Sequence, residues 1–236
     1  MSHWENKYVI GLTGNIATGK STVRKMLQQL GAYTIDADGL SHVAMQPGAP
    51  SYQPIVDRFG ADILKENREI DRAKLGAIVF SNPQALQQLE AITHPVIRKA
   101  MHALVEQAEE RVIVIEAIKL VEGELAHAVD AIWVVNATPE TQLARLIQTR
   151  NMAESVARQR IAAQNPQREK VARAHVVIQN DGNVDETWQQ VQQHWEGVSQ
   201  ALARLGQATP ADGNPASQPA ESTGAHVNSE NHQPTQ

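Results

Sequence analysis

Residues Gly14 to Ser21, GNIATGKS, match the pattern G-x-x-x-x-G-K-[S/T] without a mismatch. The two glycines permit backbone conformations that side chains disfavour, so that successive N–H groups can face an anion. Lys20 is suited to the β- and γ-phosphates of a nucleotide, and the Ser21 hydroxyl is suited to Mg²⁺. The pattern therefore predicts a loop that binds the phosphates of ATP. The predicted contacts are Gly14, Asn15, Ile16, Ala17, Thr18, Gly19, Lys20, Ser21 and Thr22.

Two aspartates, Asp36 and Asp38, lie at the end of the predicted strand Ala32–Asp36 and just after it. In a parallel sheet this end of the strand lies beside the phosphate loop. A carboxylate that faces the γ-phosphate can accept the proton of an acceptor hydroxyl. Aspartate is also a favoured N-cap, and a helix is expected to begin near Gly39. Because capping accounts for only one of the two aspartates, the pair favours a catalytic function.

A basic segment extends from Arg145 to Arg173, with seven basic and two acidic residues in a chain of net charge −5. Such a run is commonly a solvated helix face. It also suits a polyanionic ligand, because arginine binds phosphate through several donors. The composition of the segment alone leaves both interpretations open.

The elements that position these residues alternate between short β-branched runs and longer helical patterns, which is typical of βαβ units around a parallel sheet. The first helix is predicted to begin at Ser21 and to end at Gly31. Continuous apolar strands favour a sheet covered by helices on both faces. The fold class is therefore α/β. The predicted strands are Lys7–Leu12, Ala32–Asp36, Arg111–Ala117, Ala131–Val135 and His175–Ile178.

Some 70 residues with helical character separate the second and third predicted strands. This is too long for a simple crossover, so we expect a helical insertion that covers one side of the sheet's carboxyl edge. Its predicted helices include Asp71–Phe80, Pro83–Thr93 and Pro95–Ala108. Pro95 is assigned to the first turn of the last of these helices. His94 then either caps that helix or lines the acceptor site.

Composition limits the classes of partner. The chain has 236 residues, of which 42% are apolar, and no apolar run approaches the roughly 18 residues of a membrane span. The N-terminal segment lacks a secretory signal, so we expect a cytoplasmic protein without a membrane partner. The net charge of −5 argues against a nucleic-acid partner. The absence of cysteine excludes disulfides and thiolate metal sites. No pattern identifies an oligomer interface.

The last 31 residues, 206–236, differ sharply in composition from the rest of the chain. They contain four prolines, one valine and no aromatic residue, leucine, isoleucine, lysine or arginine. Such a segment cannot bury enough apolar surface to offset the entropy of ordering. We predict that residues 206–236 are a disordered tail and that residues 1–205 form the folded domain.

Several motifs in order resemble those of the dephospho-CoA kinase family, over about residues 8–198. The resemblance implies a P-loop NTPase-type parallel sheet flanked by helices, with a helical CoA-binding insertion and a helical lid. It implies transfer of the ATP γ-phosphoryl group to the 3′-hydroxyl of dephospho-CoA, the final step of coenzyme A biosynthesis. The motifs are GLTGNIATGKST, DADGLSH, THPVIR, the Leu120-x-Glu122 pair, RIAAQ and VVIQN.

The resemblance implies that Asp38 is the base that accepts the proton of the acceptor hydroxyl. It also implies that the basic segment Arg145–Arg173 forms the lid. Lys20, Arg145 and Arg150 are assigned to catalysis, and Arg160 to ATP. The implied substrate-binding residues are Asp36, His94, Arg98 and Glu122. The implied parts are a core of about 7–48, 109–144 and 174–205, an insertion of about 49–108 and a lid of about 145–173.

The chain departs from the family pattern at several positions, including His42, where arginine is common, and His175, where aspartate is common. The usual loop reads G-G-I-G-S-G-K, and here Ala17 replaces a glycine, which predicts a negative φ at that position. After the third strand, Ile118 and Lys119 stand where a proline and a leucine are usual. Lys119 is then either an additional phosphate or CoA contact or a solvated lysine.

Three other functions are compatible with parts of the pattern. Another small-molecule P-loop kinase, such as a nucleoside or nucleotide kinase, would share Lys20 and Asp38. A regulatory protein that only binds ATP would need neither Asp38 nor an arginine-rich lid. A GTPase is disfavoured, because the segment after the fourth strand reads VVNATPE and lacks the guanine-reading N-K-x-D motif.

Overall fold

The centre of the protein is a five-stranded parallel sheet in the order β2-β3-β1-β4-β5. The computed structural model describes residue 4 and residues 6–207. All five predicted strands are confirmed, with no end shifted by more than one residue. The strands are β1 Tyr8–Thr13, β2 Tyr33–Asp36, β3 Val112–Glu116, β4 Ala131–Asn136 and β5 Val176–Gln179.

Helices cover both faces of this sheet. Within the described residues, none of the helices is both long enough and apolar enough to cross a bilayer. The helices are α1 Lys20–Gln29, α2 Ala37–Ala44, α3 Tyr52–Phe59, α4 Arg72–Phe80, α5 Pro83–Gln107, α6 Leu125–Ala128, α7 Pro139–Arg150, α8 Glu154–Ala162, α9 Gln167–Val171 and α10 Val184–Gln207, with a 3₁₀ turn at Ala61–Ile63.

The core follows the two-residue period of the strands. On β1, Ile10 and Leu12 face a layer formed by α1 and α10, which includes Leu27 and Val191. Val9 faces the opposite layer. That layer is formed largely by α2 and α5. Because both faces are covered, the three central strands are almost wholly buried. The continuous apolar runs in the sequence therefore correctly predicted a sheet covered by helices on both faces.

The helical segment between β2 and β3 has a small core of its own. Its buried residues come from α3, α4, the 3₁₀ turn and the N-terminal part of α5, and include Ile55, Leu75 and Ala85. Further along α5, Met101 and Val105 pack on the sheet instead. One helix therefore joins the predicted insertion to the core. The predicted lid, 145–173, corresponds to the second half of α7 together with α8 and α9.

The prediction of two helices separated at His94 is wrong, because α5 is a single helix of 25 residues with Pro95 in its interior. The helix begins with Asn82, whose side chain accepts from the Gln84 and Ala85 N–H groups, and with Pro83 in the first turn. A proline in a helix interior costs about 3 kcal/mol. Packing at both ends of α5 outweighs that cost. His94 is therefore an exposed residue within the helix, not a cap.

The predicted tail, 206–236, lies outside the described residues apart from its first two positions. Those two residues belong to α10, which ends at Gln207. This helix therefore continues two residues past the predicted boundary at Leu205.

The position of Pro95 predicts an unusual stability effect. Replacing Pro95 with alanine restores a backbone N–H and removes a ring that crowds the preceding turn. We expect Pro95→Ala to raise the free energy of unfolding in urea by about 1–3 kcal/mol. Pro83→Ala is the matched control, because proline suits the first helical turn and its loss there should leave stability unchanged or slightly reduced. A decrease for Pro95→Ala would show that the ring itself is needed for packing.

Candidate active site

The phosphate loop lies between β1 and α1, as its sequence pattern requires. Gly14 and Gly19 have φ angles of 152° and 97°. A side chain at Gly19 would also collide with Asn180, because a Cβ atom there would lie 1.9 Å from Nδ2 of that asparagine. The same Nδ2 donates to the Thr18 carbonyl at 2.7 Å. Glycine at this position therefore permits both the turn and the close approach of Asn180.

The predicted negative φ at Ala17 is wrong, since φ is +58°. An alanine in this left-handed region costs roughly 1–2 kcal/mol. The guanidinium of Arg145 donates to the carbonyls of both Ala17 and Thr18 at 3.2 Å, and to the Asn180 carbonyl at 2.6 Å. These contacts hold the loop in the strained conformation. The alanine side chain alone suggested a negative φ, because the contacts that impose the positive φ come from Arg145 on a distant helix.

The ammonium group of Lys20 folds back over the loop. It donates to the carbonyl oxygens of Gly14 and Asn15 at 2.8 and 3.2 Å, and the residue is only 9% exposed. Burial lowers the pKa of Lys20, while the nearby carboxylates of Glu116 and Asp38 partly oppose this effect. The site therefore contains a cation that has little contact with water. An anion bound by the loop would stabilise its charge.

A cavity of about 350 Å³ opens beside this lysine. The hydroxyl-bearing residues Ser21 and Thr22 are exposed there at the start of α1. Of the predicted arginines, Arg145 and Arg150 line the cavity, whereas Arg160 lies exposed on α8 and is not among the lining residues. The lining residues are Ala17, Gly19, Lys20, Ser21, Thr22, Arg145, Thr149, Arg150 and Asn180.

The two predicted aspartates have different surroundings. Asp36 is the N-cap of α2, which begins at Ala37, and its Oδ1 accepts from the Gly39 N–H at 2.9 Å. Asp38 lies in the first turn of the same helix, and its Oδ2 accepts from the Ile118 N–H at 3.1 Å. Capping thus accounts for Asp36. Asp38 is oriented by a backbone group from the turn after β3.

Glu116 is a candidate site residue that the sequence reasoning missed. It ends β3, opposite Leu12 of β1 and Asp36 of β2. Its carboxylate lies 3.2 Å from Nε of Arg24. Burial raises the pKa of Glu116, with Arg24 and Lys20 opposing the rise and the neighbouring aspartates adding to it. The sequence does indicate this residue, because Glu116 is an acidic residue at the end of a predicted apolar strand, as Asp36 is.

The segment between α8 and α9 also contacts the phosphate loop. Gln164 and Gln167 accept from the N–H groups of Ile16 and Asn15 at 2.6 and 2.9 Å. The Asn15 side chain donates in return to the Asn165 carbonyl at 3.0 Å. No sequence pattern predicted these contacts, although Gln164 is the last residue of the motif RIAAQ. They connect the predicted lid directly to the loop.

The remaining predicted substrate residues lie in two places. Glu122 pairs with Lys170, whose Nζ lies 2.6 Å from its Oε1. Burial acts to raise the pKa of Glu122, but the hydrogen bond and charge of Lys170 outweigh it, and the pKa is lowered. His94 and Arg98 are exposed on α5, where Arg98 forms an ion pair with Glu124 at 2.7 Å. The structure therefore does not bring His94 or Arg98 to the loop cavity.

A parallel sheet with this loop and a flanking cavity is typical of P-loop nucleotide-binding proteins, a class that includes phosphotransferases. The sequence model of the family described as dephospho-CoA kinase matches residues 8–186. The chain belongs to that family. It is 47% identical to a dephospho-CoA kinase of Geobacter metallireducens over 80% of this chain and 95% of the relative. It is 44% identical to one of Carboxydothermus hydrogenoformans, over 78% and 90% respectively.

Solved structures agree with this assignment. The crystal structure of TT1252 from Thermus thermophilus matches with a TM-score of 0.71 and 28% identity, over 84% of this chain and 98% of that one. The structure of dephospho-CoA kinase from Campylobacter jejuni matches with a TM-score of 0.60 and 27% identity, over 84% and 99%. The family resemblance drawn from the motifs is therefore confirmed.

Proposed function

We propose that the chain transfers the γ-phosphoryl group of ATP to the 3′-hydroxyl of dephospho-CoA, giving coenzyme A and ADP. Membership of the dephospho-CoA kinase family supports this acceptor. The observation that carries the proposal is the placement of Asp38, which is held by the Ile118 N–H and is near enough to Lys20 for their charges to interact. The proposed base and the proposed phosphate-binding cation thus lie at one edge of the sheet.

In this proposal the loop and α1 bind the ATP phosphates. Free N–H groups at the start of α1, together with its dipole, favour a bound anion. Lys20 would exchange its contacts with the Gly14 and Asn15 carbonyls for phosphate oxygens. Arg145 supports the loop from behind through its three carbonyl contacts. Arg150 faces the cavity and is the better candidate for a direct phosphate contact.

The donor groups around the loop fit a Mg²⁺ ion held mainly by substrate. Ser21 offers an exposed hydroxyl at the start of α1. Across the described residues, no cluster of three or more His, Asp or Glu side chains could hold a metal alone. Mg²⁺ commonly takes one or two protein ligands and completes its shell with phosphates and water. We assign Ser21 to this ion, which supplies positive charge beside the phosphates when bound.

Asp38 is assigned to the proton of the acceptor hydroxyl. As the 3′-oxygen forms its bond to phosphorus, its proton passes to the carboxylate and the bond to ADP breaks. The Ile118 N–H occupies Oδ2, which leaves Oδ1 for the hydroxyl. Asp36, Glu122, His94 and Arg98 remain proposed acceptor residues. Arg160 and α8 would have to approach the cavity on closure to contact ATP.

An acceptor screen tests the reaction directly. We expect ADP release with dephospho-CoA to exceed release with adenosine, cytidine or phosphopantetheine by at least about 100-fold in kcat/KM. A pocket that binds the larger acceptor uses contacts that smaller molecules lack. Identification of coenzyme A as the product by mass spectrometry completes the measurement. A preference for a nucleoside would favour the alternative small-molecule kinase, and ATP binding without turnover would favour a regulatory protein.

Asp38→Asn tests the assigned base. Asparagine can still accept the Ile118 hydrogen bond and contact the hydroxyl, but it cannot take the proton. We expect kcat to fall by about 10²- to 10⁴-fold, with little change in the dissociation constant for ATP. Stopped-flow or quenched-flow measurement of a single turnover isolates the chemical step.

Asp36→Asn is the matched control, because it makes the same change two residues away. Asparagine and aspartate are nearly equivalent at an N-cap, so stability should be preserved and the loss of kcat should be much smaller. If Asp36→Asn proved the more damaging substitution, the assignments of the two residues would have to be exchanged.

A further inference from the structure

Lys170 is a buried charge that the proposed reaction does not use. It lies on α9 and is 2% exposed. Its Nζ donates to the Ile118 carbonyl at 2.9 Å and to Oε1 of Glu122 at 2.6 Å. A buried ammonium is costly unless it is paired and hydrogen-bonded, as it is here. A methionine could fill such a site with less cost, so the lysine requires an explanation.

The residue contacted by Lys170 is the same one that holds the proposed base. The Ile118 N–H donates to Oδ2 of Asp38, while the Ile118 carbonyl accepts both from Lys170 and from the Thr13 hydroxyl, at 3.1 Å. Ile118 lies in the turn after β3, outside regular secondary structure, and is 37% exposed. Its backbone is therefore fixed mainly by these side-chain contacts, on both its N–H and its carbonyl side.

We propose that Lys170 is a positioning residue for the base: by anchoring the Ile118 carbonyl it restricts the backbone angles of Ile118, and with them the position of the N–H that orients the Asp38 carboxylate. The proposal rests on the proposed function of Asp38. Glu122 is then the counter-ion that holds Lys170 in place. Since Gln167, the first residue of α9, contacts the phosphate loop, one short helix supports both halves of the proposed reaction site.

The alternative is that Lys170 only tethers α9 to the turn at Ile118. That role predicts a different dependence of the reaction rate on residue 38. A tether contributes to stability independently of which residue stands at position 38. A positioning residue affects the chemical step only while Asp38 is present to be oriented. The two functions are therefore separated by a double-mutant cycle rather than by a single substitution.

The test compares Lys170→Met in the wild-type and Asp38→Asn backgrounds, using single-turnover rates with ATP and dephospho-CoA. In the wild-type background we expect the rate to fall by about 10- to 100-fold, because small errors in the placement of a catalytic group have effects of this size. The KM for ATP should change by less than about 2-fold. In the Asp38→Asn background the same substitution should lower the rate by less than about 2-fold.

Equal losses of rate in the two backgrounds would overturn the proposal. Failure of the proposed function would look different, since Asp38→Asn would then retain wild-type rates or the wild-type enzyme would not turn over dephospho-CoA. Lys25→Met, at an exposed position on α1, is the charge-matched control and should leave the rate unchanged. If Lys170→Met does not fold, Thr13→Val removes the other donor to the Ile118 carbonyl and should show the same dependence on Asp38 with a smaller loss.

Discussion

The active-site region depends on a buried ammonium group whose hydrogen bonds go to backbone carbonyls. Lys20 is 9% exposed and donates to Gly14 and Asn15. The loop that supplies these carbonyls must therefore be held in one conformation, even though Ala17 in this loop has a backbone in the left-handed region. Arg145 and Asn180 hold it from one side, and the segment containing Gln164 and Gln167 holds it from the other. Because the two glutamines accept from the Asn15 and Ile16 N–H groups, an anion that binds these groups would take the place of the glutamine oxygens.

The parallel sheet explains how distant parts of the chain reach this loop. Parallel strands end at the same edge, so β1 delivers the loop, β2 delivers the aspartates and β3 delivers Glu116 and the turn at Ile118. The carboxylates of Asp38 and Glu116 oppose the lowering of the Lys20 pKa, and Lys20 opposes the rise in the Glu116 pKa. Binding of a polyphosphate at this edge would change the balance of these charges. The groups proposed to bind phosphate and to accept the proton thus lie at one edge of the sheet because of a single topology.

The sequence predicted the parts of the structure that local patterns specify. The strands, the phosphate loop and the pair at Asp36 and Asp38 were found because apolar runs, glycine spacing and strand ends are short-range signals. The φ of Ala17 and the continuous helix through Pro95 were predicted wrongly, because contacts far along the chain decide both. The contacts that hold the loop were not predicted for the same reason: Asn180 was noted only as part of the motif VVIQN, and its side chain reaches Thr18 across 162 positions.

The most direct test of the central claim is a titration of Lys20 by NMR, with the lysine Cε and Nζ signals assigned by comparison with Lys20→Arg. Burial should give Lys20 a pKa below its ordinary value in the free protein. Addition of ATP should raise that pKa, because phosphate charge stabilises the ammonium. The account predicts both the initial depression and the rise. An ordinary pKa that does not change on addition of ATP would contradict it, because Lys20 would then be neither buried in the free loop nor in contact with the phosphates.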